Sequence, residues 1–356
     1  MLHDLRRSRA RRGSNALSEG RQAPSFVPPG YEVLNRLGSG QTAHVYSARH
    51  AVFGDVALKL PRPELAHRPV LRRMFENEVA ITTKLSSPQV VTAYEGFPTG
   101  PGAFLSLEYC RGGTLDQLLL EKGLMPLDRC YRFILDVAAG LAHSHERQVL
   151  HRDVKPANVF LTEQCTAKLG DFGTGMFMSD DSSDRVGTAF YMAPEVFEGN
   201  QAGVRSDIYS LGVLAYEVIG GERPFTGNSY DALMVAHRTG VPKDLRALRH
   251  GLAPEVVRIV ALAMMRDPAK RFGSAVEFGQ ALAAATSTPM PRPDSASRSA
   301  TPVAEKARVT GRGSRAVGRG SLEEESGGRH ESGKGAGERS EQPKRGFFGW
   351  FKRARD

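Results

Sequence analysis

Apolar and polar residues alternate along the first part of the chain from Tyr31 onward, with the period of a half-buried strand. Five stretches follow this pattern: 31–40, 41–50, 55–61, 90–97 and 103–110. Between the third and the fourth, residues 69–85 place apolar side chains such as Val70, Met74 and Val79 at helical spacing. The pattern predicts a small antiparallel sheet that surrounds one helix.

After a glycine-containing break at 111–113, the apolar spacing becomes mostly helical. The helical stretches are 114–123, 128–148, 204–221 and 253–266. We therefore predict an α+β fold with two lobes. A small antiparallel β lobe with one helix would cover about 31–110, and a larger, mainly helical lobe would cover about 111–285.

The composition differs at both ends of this region. Residues 1–30 are predicted to form a basic, disordered N-terminal arm, and residues 286–343 a disordered linker rich in Ser, Gly, Arg and Glu. Such segments cannot bury enough apolar surface to offset the entropy lost on ordering. A basic aromatic motif, 344–356, ends the chain.

The net charge of +9 would suit nucleic acid binding if it were concentrated in the folded region. Basic residues exceed acidic ones mainly in the two terminal segments, and the region between them is close to neutral. Charge in Gly/Ser/Arg-rich tails is typical of solvated chain, so we do not expect a nucleic-acid partner.

Other features of the sequence indicate the cellular compartment of the protein. The three cysteines are too few and too widely spaced for a disulfide framework or a zinc site, which favours a reducing environment. The sequence has no run of about 18 apolar residues that would span a bilayer. No apolar segment follows the first basic residues, as a signal peptide would require. These features predict a cytoplasmic protein.

The motif at 344–356 interleaves aromatic and basic residues. It would suit an anionic membrane surface, which would place the protein peripherally at the membrane, or the groove of a partner protein. The alternative is a loose tail that contacts the folded body or nothing. The sequence leaves these alternatives open.

The stretch "VLHRDVKPANVFL", 149–161, sets several polar side chains within an apolar frame. The apolar flanks predict two short buried strands that bracket a turn, so the polar groups would lie at the edge of a core. Within the turn, Asp153, Lys155 and Asn158 could orient a hydroxyl, neutralise an anion and ligate a hard metal ion.

A second polar group surrounds "LGSGQTAHVY". Gly38 and Gly40 let the backbone close over an anion, although such turns are common in hairpins. Lys59 follows in a strand that otherwise favours apolar residues, and a buried ammonium group needs a partner. Glu78 on the following helix is the expected partner, and Glu76 is the competing choice.

Together these residues resemble the eukaryotic-type (Hanks-type) Ser/Thr protein kinase family, including its soluble bacterial members. The resemblance covers about residues 31–283 and rests on five motifs in the order of that family. They are "GSGQTAHV", Lys59 with Glu78, "HRDVKPAN", "DFG" at 171–173 and "APE" at 193–195. The family implies a bilobal protein-kinase fold and phosphoryl transfer from ATP.

The resemblance assigns roles in catalysis. Asp153 would orient the substrate hydroxyl and accept its proton, and Lys155 would neutralise charge on the phosphoryl group. Thr188 would contact both of these residues. Asn158 and Asp171 would hold Mg²⁺, with Mn²⁺ as a substitute.

The resemblance also assigns an ATP site between the lobes. Lys59 would contact the α- and β-phosphates, and Glu78 would hold Lys59 in place. Val45 and Ala57 would form the roof over the adenine, and the hinge at 107–110 would read the purine edge. The residues assigned to the nucleotide are Leu37, Gly38, Ser39, Gly40, Val45, Ala57, Lys59, Leu107, Glu108, Cys110 and Phe160.

Other positions are expected to be structural. Glu195 and Arg271 resemble a buried ion pair of the family, and Asp207 resembles the residue that braces the catalytic loop from below. His151 is expected to pack and hydrogen-bond beneath that loop. Cys110 is expected to be a packing residue rather than a reactive thiol.

The segment after "DFG" bears on the substrate of the enzyme and on regulation of its activity. Lys155 together with "GTAFYMAPE" resembles the Ser/Thr branch, which implies protein substrates with Ser or Thr hydroxyls. A phosphate on this segment could pair with Arg152 and order it. The candidate phosphorylation sites are Ser179, Ser182 and Ser183. Alternatively, a nearby carboxylate supplies the charge constitutively, the candidates being Asp180, Asp181 and Asp184.

The sequence departs from the family pattern at Ala43, which stands where a third glycine is expected. A methyl group there should perturb loop mobility more than phosphate contact. The rival function is a catalytically silent pseudokinase scaffold, which would need a missing catalytic part. The required residues are all in place, so we expect an autophosphorylating enzyme in signal transduction. They are Lys59, Glu78, Asp153, Asn158 and Asp171.

Overall fold

The computed structural model of the protein describes residues 24–172 and 187–291. Five strands form one antiparallel sheet in the order β1-β2-β3-β5-β4. They are β1 (Tyr31–Ser39), β2 (Ala43–His50), β3 (Gly54–Pro61), β4 (Ala93–Phe97) and β5 (Phe104–Glu108). Helix α1 (Pro69–Thr82) lies between β3 and β4 in the chain.

The two faces of this sheet pack differently because side chains alternate along each strand. Leu58 and Leu60 of β3 lie on the outer face in a cluster with Tyr46. Lys59 between them faces the other way, toward α1, whose buried residues Phe75 and Val79 pack on the inner face. The sheet thus presents one polar side chain of β3 to the interior of the molecule.

The second lobe is mainly helical. Its elements are α2 (Leu115–Lys122), α3 (Leu127–Glu146), β6 (Val159–Leu161), β7 (Ala167–Leu169), α4 (Pro194–Phe197), α5 (Val204–Gly220), α6 (Tyr230–Thr239), α7 (Leu245–Leu248), α8 (Pro254–Ala263) and α9 (Ala275–Thr286). Helices α3, α5, α8 and α9 share one large apolar core. Helix α5 ends at Gly221, whose φ of 75° is left-handed and closes the helix without a Cβ penalty.

The predicted α+β fold with two lobes is confirmed. One strand prediction is wrong: residues 149–150 form no strand, whereas 159–161 form β6, paired with β7. Val149 N donates to Ser144 O at the end of α3 at 2.9 Å, and the N–H groups of His151 and Arg152 bond to the Asp207 carboxylate, so this backbone has no strand partner. Helices 230–239 and 275–286 were not predicted individually.

The predictions for the terminal segments fall largely outside the described residues. This applies to the arm up to residue 23, to the linker from residue 292 and to the whole motif at 344–356. Their boundaries stay predictions. Within 24–172 and 187–291, no helix has both the length and the apolar character needed to cross a membrane.

Candidate active site

A cleft of about 1280 Å³ lies between the sheet and the helical lobe. It is lined by the glycine-containing β1–β2 turn, β3, α1, the chain after β5 and the loop before β6. Every residue that was predicted to take part in catalysis, nucleotide binding or metal binding lines this cleft. The fold therefore brings together motifs that are far apart in sequence.

Lys59 is the centre of a buried charge cluster in the cleft. Its ammonium group contacts the carboxylates of Glu78 and Asp171. The Lys59 and Glu78 side chains are 12% and 3% exposed. The competing partner, Glu76, instead lies on α1 with Arg72, one turn away at 3.6 Å. Helix α1 thus decides between the two glutamates by the face on which each lies.

The protonation equilibria in this cluster follow from burial and charge. Burial acts to lower the pKa of Lys59, but Asp171 and Glu78 outweigh it and raise the pKa, so the ammonium form is stabilised. Burial alone would raise the pKa of Asp171, and the adjacent Lys59 lowers it overall. Burial raises the pKa of Glu78, and the negative charge of Asp171 raises it further. Lys59 lowers this pKa but does not reverse the shift.

The loop before β6 holds a second polar group. Lys155 Nζ lies 2.9 Å from Asp153 Oδ2 and donates a 3.1 Å hydrogen bond to Thr188 Oγ1. Asn158 Nδ2 donates to Asp153 Oδ2 at 2.9 Å. Thr188 was expected to contact both Asp153 and Lys155. The structure shows its contact with Lys155, which in turn contacts Asp153. The Asp153 carboxylate is therefore held from two sides.

The backbone beneath this loop is strained and braced. Arg152 has a φ of 66° and Asp171 a φ of 60°, both in the left-handed region that costs a non-glycine residue about 1–3 kcal/mol. Asp207 Oδ1 accepts from Arg152 N at 2.7 Å, and Oδ2 accepts from His151 N at 2.9 Å. This confirms the expectation that Asp207 braces the loop.

His151 is fully buried, as expected for a structural residue. Its Nδ1 accepts from Asp153 N at 3.3 Å, so Nε2 carries the proton and donates to Gly170 O at 2.9 Å. Gly170 leaves no room for a side chain, because a Cβ would lie 2.9 Å from the Phe160 ring. His151 and Gly170 thereby join the loop of Asp153 to the segment of Asp171.

At one end of the cleft, apolar side chains form a surface that could enclose a flat ring. Val45, Ala57, Leu107 and Phe160 line it, with Ala57 paired to Leu107 across β3 and β5. Burial raises the pKa of the Cys110 thiol to about 12, so the thiol is protonated and the expectation of a packing residue is confirmed.

The hinge carries one polar contact that the sequence did not indicate. The Glu108 carboxylate lies 2.7 Å from Lys168 Nζ and accepts from Thr92 N at 3.3 Å. Lys168 lies on β7, three residues before Asp171, and its side chain is 13% exposed. This ion pair joins the chain between the lobes to the strand that leads to the metal-ligand candidate.

The donor set suits a hard divalent cation. The side-chain nitrogen of Asn158 donates to Asp153, which leaves the side-chain oxygen of Asn158 for other partners. Together with the Asp171 carboxylate this is an all-oxygen pair, which fits Mg²⁺ shared with phosphates and water. Within the described ranges, no group of three or more His, Cys, Asp or Glu residues forms an all-protein metal site.

Away from the cleft, Glu195 and Arg271 form the expected buried pair. Two parallel contacts of 2.8 Å join the guanidinium and the carboxylate, and the Arg271 side chain is 0% exposed. Ser206 Oγ donates to the same carboxylate at 2.8 Å. The pair ties helix α4 to the segment before α9.

The comparisons with known proteins agree with this geometry. The family model described as protein kinase domain matches residues 31–282. The chain belongs to the protein kinase family. The kinase match thus spans both lobes and ends four residues before the end of α9 at Thr286.

Three curated relatives of this kinase are named as serine/threonine-protein kinases. PknB of Mycobacterium tuberculosis is 33% identical over 266 residues, 72% of this chain and 42% of that protein. PknL of the same species is 35% identical over 262 residues, with 71% and 65% covered. The kinase drp72 of Corynebacterium efficiens is 32% identical over 290 residues, with 78% and 55% covered. The chain therefore spans less than half of the length of PknB.

Two predictions for the kinase fall outside the described residues. They are the phosphorylation candidates Ser179, Ser182 and Ser183 and the alternative acidic residues Asp180, Asp181 and Asp184. Sequence reasoning also left Arg36 and His44 of the β1–β2 hairpin unassigned, although both bond to one another near Ser39. The register of β1 and β2 would have indicated this contact, because it places residues 39 and 44 opposite each other.

Proposed function

We propose that this chain is a serine/threonine protein kinase that transfers the γ-phosphoryl group of ATP to Ser or Thr hydroxyls of proteins, itself included. The observation that carries the proposal is the convergence of two groups in one cleft. Lys59 with Glu78 and Asp171 forms one group, and Asp153 with Lys155 forms the other.

In the proposed reaction, a substrate hydroxyl oxygen forms a bond to the γ-phosphorus while the bond from that phosphorus to the β–γ bridging oxygen breaks. The hydroxyl proton passes to the Asp153 carboxylate, and ADP leaves with the bridging oxygen. Lys155, 2.9 Å from Asp153, offsets the negative charge of the phosphoryl group. Asn158 keeps the Asp153 carboxylate oriented.

The nucleotide would bind with its base at the apolar end of the cleft and its phosphates near Lys59. Asn158 and Asp171 are the residues that would hold Mg²⁺, and the same oxygen donors would accept Mn²⁺. When bound, Mg²⁺ neutralises charge on the phosphates. Glu78 is a positioning residue in this arrangement, because it reaches the substrate only through Lys59.

The choice of Ser or Thr as acceptor rests on two supports. The relatives that match the chain are named as serine/threonine-protein kinases. Lys155 also bridges Asp153 and Thr188 beside the acceptor position, as the motif of that branch implies.

We also propose that Arg152 senses negative charge on the segment after Asp171. Its backbone is fixed by Asp207, and its side chain makes no ion pair with any residue in the described ranges. A phosphate or carboxylate from that segment would pair with the guanidinium and hold the catalytic loop in its strained conformation.

The test is Mg²⁺-dependent transfer of label from γ-labelled ATP to the protein and to a basic protein substrate. Wild type should label both, whereas Asp153→Asn and Lys59→Met should lose the label while remaining folded. Asp231→Asn and Lys84→Met are matched controls at exposed positions and should retain it. Unchanged labelling in Asp153→Asn would overturn the proposal. Absence of label in wild type that binds ATP without Mg²⁺ dependence would favour the scaffold function.

A further inference from the structure

The tip of the β1–β2 hairpin carries a polar cluster centred on His44, whose side chain lies on the face opposite the cleft. His44 Nδ1 lies 2.9 Å from Arg36 Nη2 and 2.8 Å from Ser39 Oγ. Val45 lines the cleft, and Tyr46 belongs to the outer apolar cluster. Because side chains alternate along β2, His44 lies on the outer face with Tyr46. We call the three residues Arg36, His44 and Ser39 the clasp.

Hydrogen-bond chemistry fixes the protonation of the clasp. A guanidinium group only donates, so His44 Nδ1 must accept from Arg36 and can carry no proton. The Ser39 hydroxyl must then be the donor in its 2.8 Å contact, and the two donors share the single lone pair of Nδ1. The clasp as observed requires a neutral imidazole.

The charges around His44 favour that neutral form. Burial lowers the pKa of His44, and the nearby charges of Arg36 and Arg62 lower it further. Glu64 acts in the opposite direction but does not reverse the shift. Arg36 lies on β1, and Arg62 and Glu64 lie in the chain after β3, so these charges come from the two elements that flank β2.

The clasp closes the hairpin at its last paired position before the tip. Ser39 and His44 are the final residue pair of the β1–β2 ladder. Beyond them, Gly40 N donates to Ala43 O at 2.8 Å, and both Ser39 and Gly40 line the cleft. Gly38 and Gly40 have no side chains that could hold the tip, so the Ser39–His44 contact restrains the part of the turn that lines the cleft.

We propose that His44 is a positioning residue for the nucleotide: the clasp holds the tip of the turn in the conformation that covers the phosphates. The proposal rests on the ATP site of the proposed function. Protonation of His44 would place a hydrogen between Nδ1 and Arg36 and would end acceptance from Ser39. The clasp then opens as the pH falls, and the affinity for ATP falls with it.

Three variants of the full chain separate this role from a general structural one. His44→Leu removes the acceptor. His44→Asn keeps an acceptor oxygen close to the position of Nδ1 but does not titrate. His67→Asn is the matched control, since His67 is exposed on the same lobe. For each, kcat, the KM for ATP and the calorimetric Kd for Mg–ATP are measured between pH 5.5 and pH 8.5, a range that spans the ordinary His pKa of about 6.5.

At high pH, His44→Leu should raise KM and Kd about five- to tenfold, the effect of one or two hydrogen bonds, with kcat nearly unchanged. Wild type should approach this variant as the pH falls. His44→Asn should retain the low Kd at every pH, and His67→Asn should follow wild type. Equal Kd values for wild type and His44→Leu at all pH values would overturn the proposal.

Two other outcomes are equally decisive. A His44→Asn variant as weak as His44→Leu would also overturn the proposal, because it would mean that packing of the ring matters rather than the acceptor. Failure of the proposed function is distinguishable: wild type would then transfer no phosphate, whereas Kd would still report on the clasp. A folded wild type that does not bind Mg–ATP would contradict both.

Discussion

Lys59 and Asp171 form a direct ion pair in the cleft although they are 112 residues apart in the chain. Lys59 lies on β3 of the small lobe, and Asp171 follows β7 of the helical lobe. Glu78 holds the same ammonium group from α1. One buried charge cluster therefore joins β3, α1 and the segment after β7. Disruption of this cluster should affect stability as well as activity.

Lys59→Met should destabilise the protein by about 3–5 kcal/mol, because it leaves two carboxylates without their buried cation. The additional change Glu78→Gln should restore part of this loss by removing one of the two negative charges. Urea denaturation of both variants at neutral pH measures the effect. The exposed control Lys84→Met should differ from wild type by less than about 0.5 kcal/mol. A double variant less stable than Lys59→Met would contradict the account.

The buried and exposed ion pairs near helix α4 offer a matched comparison. Glu195→Gln should cost about 3–5 kcal/mol, because the fully buried Arg271 loses its counter-charge. Glu198→Gln breaks the pair with Arg238, whose side chains are 44% and 51% exposed, and should cost less than about 1 kcal/mol. Thermal or urea unfolding measures both. Equal effects of the two changes would refute the assignment of Glu195 to a structural pair.

Asp207→Asn should slow catalysis without weakening ATP binding. The amide can accept from only one of the backbone N–H groups of His151 and Arg152, so the strained loop that carries Asp153 loses part of its support. We expect kcat to fall about 10- to 100-fold, equivalent to about 1.4–2.8 kcal/mol, with the KM for ATP within about twofold of wild type. Steady-state kinetics measures this split. A change confined to KM would be inconsistent with the proposed role.

His237 should make the protein sensitive to acid. The side chain is fully buried with Nδ1 2.8 Å from the Tyr209 hydroxyl, and burial lowers its pKa to about 4. The unfolded chain, with a His pKa of about 6.5, binds the proton more readily between these values. The contribution is complete above about pH 6.5 and is lost as the pH falls toward about 4, by about 3 kcal/mol.

The comparison for His237 is with His237→Gln, which keeps an acceptor for Tyr209 but does not titrate. The difference in unfolding free energy between pH 7 and pH 4 should be about 3 kcal/mol smaller in this variant. His67→Gln at an exposed position should leave the pH dependence unchanged. Identical pH profiles for wild type and His237→Gln would show that the imidazole is not the acid-labile group.

The sequence indicated the candidate site residues because each motif carries several polar side chains within a few positions, and all of these residues line one cleft. It favoured Glu78 over Glu76 as the partner of Lys59, and the rotation of α1 against the sheet places Glu78 there and Glu76 beside Arg72. It wrongly predicted a strand at 149–150, because Val149 N donates to Ser144 O of α3 and the next backbone N–H groups bond to Asp207, 56 residues from His151. A contact at such a distance is set by tertiary packing and leaves no periodic signal nearby.

The clasp shows a different limit. Arg36, Ser39 and His44 are close in sequence, but their contact depends on strand register. The β1–β2 ladder shifts register between Arg36 and Gly38. Such a bulge cannot be located from alternation alone, because one inserted residue exchanges the two faces of a strand. The cluster could therefore be assigned only once the register was known.

The most direct measurement of the central claim is product analysis with three peptides that differ only in the acceptor, which is Ser, Thr or Tyr. The kinase is incubated with each peptide, ATP and Mg²⁺, and ADP and phosphopeptide are quantified together. The account predicts phosphate on the Ser and Thr peptides, in amounts equal to the ADP formed, and none on the Tyr peptide. ADP without phosphopeptide, or phosphate on Tyr alone, would contradict it.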